Sequence, residues 1–584
     1  MDKKGTLSVN TENLMPIIKK WLYSDRDIFI REIVSNACDA ISKLKKLVSM
    51  GEAVPDETED YSVQVHIDKA NRLLKVTDNG IGMTAEEVER YINQVAFSGA
   101  AEFIERYEQS EKEGATIIGH FGLGFYSAFM VSETVMIDTL SYQEGAQAVH
   151  WESDGSGEFS MTDSDRKERG TVITMKLSSE AEDFLNEAEL AKVLHKYCAF
   201  LPYPVYLTAD DDAAEAKPRK INDTDPLWLK APSECTEEEY KAFYAKVFLD
   251  FNEPLFWIHL NVDYPFKLTG ILYFPKLTKN LETLQGEIKL YNNQVYVADN
   301  IKEIIPEFMM LLKGVIDCPD MPLNVSRSFL QNDGTVKLIS KHITKKVADK
   351  LTGMFQNERE NYNRYWDDIG IFIKYGCMRD DAFYDRMKDC LIYKTIRDDF
   401  ITLQDYLAEN KDQNENKVFY VTDPVQQAQY IELFRQNNLN AVVLDAVIDG
   451  PFINFTESKN PEVKFARIDA DLAQALCGAG EGEGTKELCE AFQAMIHQEN
   501  TEVKARSIRT QAPAILLVEE MNRRMQDLSR YYNGMDMAQM FPTKYTLMLN
   551  TESELTACIP DEQNGNHQCP VRGLRPLAQG IQRL

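Results

Sequence analysis

The chain has no C-x-x-C pair, and its ten cysteines are scattered over 584 residues. That removes the usual spacing of a zinc site, and a chain of this size has enough apolar material to fold without disulfide staples. Long apolar runs are also missing. No stretch of about 18 apolar residues reads as a membrane span, and the N-terminal MDKKGTLSVNTENLM has no apolar signal core. Positive charge is in deficit, with 64 Lys and Arg against 93 Asp and Glu and a formal net charge of −29. Nucleic acid is therefore not an expected partner, because binding to it is driven by cations that neutralise phosphates. No internal repeat is visible. These absences predict a reduced, soluble, cytoplasmic protein with no nucleic-acid and no membrane partner.

What is present is length enough for several cores, since single cores stop growing at roughly 250–300 residues. Residues 11–50 read as helices, with Ile17, Ile18, Trp21 and Leu22 on one face and Ile30, Ile33, Val34, Ala37 and Ile41 on another. Strand-like runs follow at 61–68, 71–79, 131–140, 148–152 and 171–177. Helices followed by strands on one core predict an α+β layer rather than a doubly wound sheet. The segment 208–226, TADDDAAEAKPRKINDTDP, has no apolar period and is the best linker candidate. A second α/β stretch carries FWIHLNVD (256–263) and KLTGILYF (267–274), then helices from about 336 to 410. After the Gly- and Glu-rich break at 477–487 come a long helical segment and the strand-like KYTLMLN (544–550).

Four short motifs carry chemistry. In REIVSNACDA (31–40), Glu32 and Asn36 lie four residues apart, one turn from each other on one helix face, and Asp39 and Lys43 prolong the polar stripe. An Asn amide can ligate magnesium, and a carboxylate beside it can polarise an attacking water. Alone, the pattern is that of a solvated helix face. TDNGIGMT (77–84) follows a strand; Asp78 could accept from an exocyclic amine, while Gly80 and Gly82 permit a sharp turn. By itself it is a strand-ending turn. IIGHFGLGFYSAF (117–129) places Gly119, Gly122 and Gly124 before a helical pattern, as a phosphate-cradling loop would. It is neither a P-loop nor a dinucleotide fingerprint. In RGTVITMKL (169–177), Gly170 and Thr171 open a strand.

In this order the motifs resemble those of the split, Bergerat-type ATP-binding fold shared by gyrase-type topoisomerases, MutL proteins, histidine kinases and heat-shock protein 90 chaperones. DIFIREIVSNACDAISKL (27–44), TDNGIGMT and IGHFGLGFYSAFMVS (118–132) are closer still to the heat-shock protein 90 family in its bacterial HtpG form. MPLNVSRSFLQND (321–333) is similar to that family's catalytic loop, and WDDIGIFIKYGCMRDD (366–381) and RRMQDLSRYYNG (523–534) to its later regions. The resemblance implies a multidomain α+β protein. It would have an α/β sandwich ATPase over 1–210, a short acidic linker over 211–226, an α/β middle domain over 227–476 and a mainly helical dimerisation domain over 483–584. It also implies an ATP-dependent chaperone that binds non-native clients and cycles between open and closed clamp states, with ATP and magnesium as cofactors.

By the same resemblance, Glu32 would be the general base and Asn36 the magnesium ligand. Asp78 would bind the adenine amine through a network shared with Thr171, and Met83 and Phe125 would pack on the nucleotide. Gly119, Gly122 and Gly124, with neighbours His120 and Phe121, would offer backbone N–H groups to the phosphates. Asp39, Lys43, Gly82, Ser98 and Gly99 complete the expected nucleotide contacts. Arg327 would reach the γ-phosphate from the middle domain, supported by Gln331.

The chain departs from the family pattern in three places. In the lid, INQVAFSGA (92–100) has Asn93 where a glycine and Phe97 where a lysine are usual, and position 120 is His rather than Gln. Only 34 residues follow Asn550, with Pro570 and Pro576 breaking any helix there. A tetratricopeptide cochaperone motif is absent. Phe256, Trp257 and the methionines Met521, Met525, Met535, Met537 and Met540 are candidate client surfaces. Competing readings are a topoisomerase subunit or MutL-like factor, disfavoured by the charge, a histidine kinase, disfavoured because the first His is His66, and a nucleotide-independent holdase.

Overall fold

The computed structural model describes residues 25–54, 60–94, 97, 103, 117–119, 122–210, 218–276, 286–324, 334–411, 416–470, 476, 485–496, 500–510, 512–519, 524 and 544–553. They divide into two compact units, one running to Pro275 and resuming over Gly286–Ile343, the other from Thr344 onward. The apolar face expected at Ile17, Ile18, Trp21 and Leu22 lies outside the described residues.

The first unit is organised on helix α1 (Ile28–Ser49). Its apolar residues recur every three or four positions, and Ile30, Ile33, Val34, Ala37, Ile41 and Leu44 are all buried. Each large aliphatic among them contributes about 1.5–3 kcal/mol by leaving water, so the stripe fixes the helix against the sheet. Unlike a surface helix, α1 is covered on its polar side too: Arg31, Glu32, Ser35 and Asp39 are also buried.

The sheet has eight strands: β1 (Val63–Asp68), β2 (Leu73–Asp78), β3 (Ser132–Leu140), β4 (Val149–Ser153), β5 (Ser160–Asp163), β6 (Gly170–Leu177), β7 (Val205–Ala209) and β8 (Arg219–Lys220). Their order is β5-β4-β3-β6-β2-β1-β7-β8. All pairs are antiparallel except β1 with β7. Two helices accompany it. Helix α2 (Ala85–Tyr91) begins with a capping box between Thr84 and Glu87. Helix α3 (Glu187–Cys198), capped by the Asn186 side chain, packs on α1.

The segment expected to be a linker, 208–226, is tied to this sheet at both described ends. β7 runs into it and β8 pairs with β7. The buried Asn222 amide accepts from Val205 N and donates to the carbonyls of Leu201 and Tyr203. These ties are made by backbone and one amide, which leave no apolar period to read; residues 211–217 lie outside the described residues.

A second sheet follows helix α4 (Glu237–Phe248). Its strands β9 (Phe256–Val262), β10 (Leu268–Phe274), β11 (Glu287–Asn292), β12 (Val295–Asp299) and β13 (Lys313–Asp317) run in the order β12-β11-β13-β10-β9. Phe256 and Trp257, expected at a client surface, are packed instead. The Phe256 ring stacks on Phe274 at 4.3 Å and the Trp257 ring on Tyr240 of α4 at 4.7 Å. Successive strand residues face opposite sides of a sheet, and here both sides are occupied.

In the second unit, strands 417–421, 442–443 and 464–467 form a parallel sheet, with helices at 428–436 and 449–459 between them. The C-terminal part, expected to be mainly helical, holds among the described residues one helix, Thr485–Met495, against a three-stranded sheet. The expected strand forms over Tyr545–Asn550 as the middle strand, between Thr501–Arg506 and Ala514–Val518. Met521, Met525, Met535, Met537, Met540 and the proline-bearing tail lie outside the described residues.

Candidate functional site

Strand register assembles the first half of the site. Asp78 on β2 pairs with Thr171 on β6, and Thr171 pairs with Thr139 on β3. Residues directly opposite one another project to the same face, so three polar side chains form a row across the sheet. The Thr139 and Thr171 hydroxyls are 2.9 Å apart, and Met83 N donates to Thr139 Oγ at 2.9 Å. Gly80 N donates to Asp78 Oδ1 at 2.8 Å. Burial pushes the Asp78 carboxyl up to about 7, against the opposing pull of the Gly80 N–H and the Arg166 and Arg169 cations.

The turn after Asp78 is pinned from three sides. Ile81 N donates to Ala40 O of α1, Tyr142 N donates to Ile81 O, and Arg169 Nε donates to Gly80 O. Two glycines are obligatory here. Gly82 has φ +63°, and a methyl there would fall 1.9 Å from Leu140 O; Gly170 has φ +106°, with Asp78 O at 2.1 Å. Gly170→Ala is expected to destabilise the protein by about 3 kcal/mol or more, through left-handed strain and backbone collision. Chemical denaturation read against wild type checks this; an unchanged midpoint would show that β6 can shift freely.

Helix α1 supplies the second half. Arg31 holds Glu32 Oε1 through Nε at 2.9 Å and a terminal nitrogen at 2.8 Å. The other oxygen, Oε2, lies where a methyl on Gly124 would approach within 2.7 Å. Glu32 is thus fixed on one oxygen and abuts the glycine loop with the other. Asn36, one turn on, is half-buried. Asp39 differs from its expected role: Oδ1 accepts from Ile118 N and Oδ2 from Gly119 N, both at 2.7 Å. Each oxygen accepts from the backbone of the loop, so Asp39 positions the loop. For the same reason the Gly119 N–H, expected to serve a phosphate, is already committed. Burial lowers the Lys43 pKa, while the carboxylates of Asp39 and Glu87 work against that shift.

The glycine loop feeds a short 3-10 helix, Gly124–Met130. Phe125 meets Trp151 edge-on at 5.7 Å and is mostly buried, while Met83 is partly buried against the same core. The altered lid residues make contacts of their own. Asn93 Oδ1 accepts from Trp151 Nε1 at 2.9 Å. The Phe97 ring stacks on Tyr91 at 6.0 Å with the Arg90 guanidinium 5.1 Å from its centroid, and its carbonyl seats against Gly122, whose φ is +64°. A usual hinge glycine is replaced here by a tethered residue. Ser98, Gly99, His120, Phe121, Arg327 and Gln331 lie outside the described residues.

Among the described residues no cluster of three or more His, Cys, Asp or Glu could cage a metal. A nucleotide-borne magnesium needs none, because it draws most ligands from phosphate and water. The half-buried Asn36 amide, one turn from the Glu32 carboxylate that abuts Gly124, fits that donor set. Two contributors were not singled out as candidates from the sequence: Thr139, outside the motifs, and Arg31, which opens the first of them. Thr139 sits in an alternating strand with no signature, and Arg31 is a basic residue inside an amphipathic helix.

Two family profiles match and divide the chain between them. Residues 25–177, which hold all the described parts of this pocket, match the profile described as histidine kinase-, DNA gyrase B- and HSP90-like ATPase. The pocket is that of a nucleotide-binding ATPase. Residues 212–564 match the profile described as Hsp90 protein. The chain is similar to chaperone protein HtpG of Porphyromonas gingivalis, 43% identical over 578 residues, covering 95% of this chain and 84% of that one. HtpG of Bacteroides thetaiotaomicron is 40% identical over 586 residues, 96% and 85% of the two chains. HtpG of Idiomarina loihiensis is 31% identical over 591 residues, 95% and 92%. The chain belongs to the heat-shock protein 90 family. It is an ATP-binding, ATP-hydrolysing chaperone that acts on client proteins. No described helix is long and apolar enough to cross a membrane.

Proposed function

We propose that the chaperone hydrolyses ATP with Glu32 as the general base and couples that step to clamp closure of a cytoplasmic homodimer joined through its C-terminal domain. The observation that carries this is the placement of Glu32: one oxygen is held by Arg31 and the other is turned to the glycine loop. Asp78 accepts the adenine amine, with Thr171 and Thr139 completing the hydroxyl network. Met83 and Phe125 wall the base, while Gly122 and Gly124 allow the phosphates to approach. Asn36 holds magnesium, which when bound offsets phosphate charge. Ser98, Gly99, His120 and Phe121 complete the nucleotide contacts. Arg327, supported by Gln331, contributes a cation to the γ-phosphate from the middle domain, where charge stabilisation dominates the chemistry. Asp39 and Arg31 are positioning residues.

The experiment is steady-state phosphate release. Arg327→Ala is expected to slow turnover by about a thousandfold while leaving ADP affinity unchanged. Equal turnover in the variant would remove the middle domain from the chemistry. Sedimentation over a concentration series tests the clamp, and a monomer at micromolar protein would sink it.

A further inference from the structure

Behind the glycine loop lies a second cavity, of 270 Å3, bounded by the C-terminal half of α1, by Tyr203 and by the β11–β12 turn. None of its lining residues belongs to the row of Asp78, Thr139 and Thr171, yet Ile118 lines it, and the Ile118 N–H is one of two held by Asp39. The lining carries Lys45, whose ammonium stands 5.4 Å from the Tyr203 ring centroid and 5.8 Å from that of Tyr61, together with Lys46, the Ser42 and Tyr203 hydroxyls 3.1 Å apart, and Asn293 and Gln294. Among the described residues that line it none is acidic, in a chain whose net charge is −29.

The turn that carries Asn293 and Gln294 is set rigidly. Asn293 and Gln294 both have left-handed φ, 51° and 65°, a pair that fits a tight hairpin. Gln294 N donates to the buried Asp317 carboxylate at 2.9 Å. The Gln294 side-chain oxygen is itself sealed from solvent, so the turn contributes shape to the cavity wall and not an acceptor. The plain alternative is that the lysines only complement the negative end of α1. That end is already served: Met50 N and Ser49 Oγ donate to Lys46 O, and Glu52 N donates to Leu47 O.

We infer that this cavity is a binding site for a hydrogen-phosphate group, free or as the monoester of a small metabolite. Two ammonium groups and the hydroxyls match its oxygens, as charge-assisted donors do. Such a ligand ties α1 to the β11–β12 turn and adjoins the Ile118–Asp39 contact, so it is expected to alter nucleotide affinity from outside the nucleotide pocket.

The test uses the full chain saturated with ADP, which fills the adenine, α- and β-phosphate positions, and the lysine variants distinguish this cavity from the open γ-phosphate position. Inorganic phosphate and glycerol 3-phosphate are titrated separately by calorimetry. Saturable binding at about 1 mM or tighter is expected for at least one of them. Binding of inorganic phosphate alone assigns the site to the free ion, and tighter glycerol 3-phosphate assigns it to a monoester. Lys45→Gln with Lys46→Gln is expected to weaken binding by about tenfold or more, and Lys69→Gln, on the distant β1–β2 turn, to leave it unchanged. Tyr203→Phe, which removes one lining hydroxyl, provides a second variant should the lysine pair fail to fold. Absence of saturation for both ligands, binding only when ADP is left out, or equal binding in the variants would overturn the site. Failure of ADP itself to bind would fell the ATPase reading and leave the phosphate titration readable.

Discussion

Replacing Glu32 by Ala is expected to reduce steady-state ATP hydrolysis by about a hundred- to ten-thousandfold, the range a positioned general base contributes. ATP binding is expected to persist, because affinity is set at the far end of the pocket, by Asp78 and the threonine row. The reasoning rests on geometry. Glu32 cannot sample rotamers freely: Arg31 fixes Oε1, and Gly124 admits Oε2 only because it has no side chain. A base held in place spends little ordering entropy in the transition state. Removing the carboxylate outright also takes a charged partner from the buried Arg31 guanidinium, which can cost several kcal/mol. Glu32→Gln is therefore the companion variant, since its amide oxygen still accepts from Arg31 but cannot take a proton. Phosphate release measured beside an ADP titration separates the outcomes. If both variants turn over as fast as an active wild type, the assignment of Glu32 as base fails; if wild type itself releases no phosphate above the enzyme-free background, a nucleotide-independent holdase remains.

Asp78→Asn is expected to lose nucleotide and gain stability. The Asp78 carboxyl stands at about 7 in the folded protein against an ordinary 3.8. The folded state therefore binds this proton more tightly than the unfolded chain does. Its contribution to stability is full below the ordinary value and is lost as pH rises through about 7. At pH 8 the nucleotide-free protein carries an ionised, buried carboxylate, which Asn avoids while still accepting from Gly80 N. The variant's unfolding midpoint without nucleotide should exceed that of wild type at pH 8, with the gap closing towards pH 5. Nucleotide affinity should fall by about ten- to a hundredfold, the worth of a hydrogen bond to a charged acceptor. Thermal unfolding at both pH values and calorimetry with ADP check the two halves. A variant less stable at pH 8, or one that binds ADP as tightly as wild type, contradicts the account.

The parts of the site that were legible in the sequence are those whose chemistry is local. Glu32 and Asn36 share a helix face by spacing alone, and the turn after Asp78 shows itself in its glycines. Thr139 was not legible, because its role depends on which residue of β6 it opposes, and register is a property of the assembled sheet. Asp39 looked like another polar residue on the stripe of Glu32. Its carboxylate turned out to hold a loop that begins 79 residues later, a contact that no local pattern encodes. Phe256 and Trp257 misled for the converse reason. A strand with large residues on both faces reads as an exposed apolar patch until the helix that covers one side is known. The 208–226 segment hid its ties because backbone and one Asn amide make them.

The row of Asp78, Thr171 and Thr139 also bears on how the chain is made. Slipping β6 by one residue against its neighbours would send Thr171 to the opposite face and break up the row, although most backbone hydrogen bonds could re-form. A newly synthesised chain that zipped up one step out of place would look nearly folded but would lack the row proposed to receive adenine. Nucleotide then rewards only the correct pairing, since a ligand stabilises the state that binds it. In the cell, ATP would in that way act as an inspector of this chaperone's own folding before the chaperone serves any other protein.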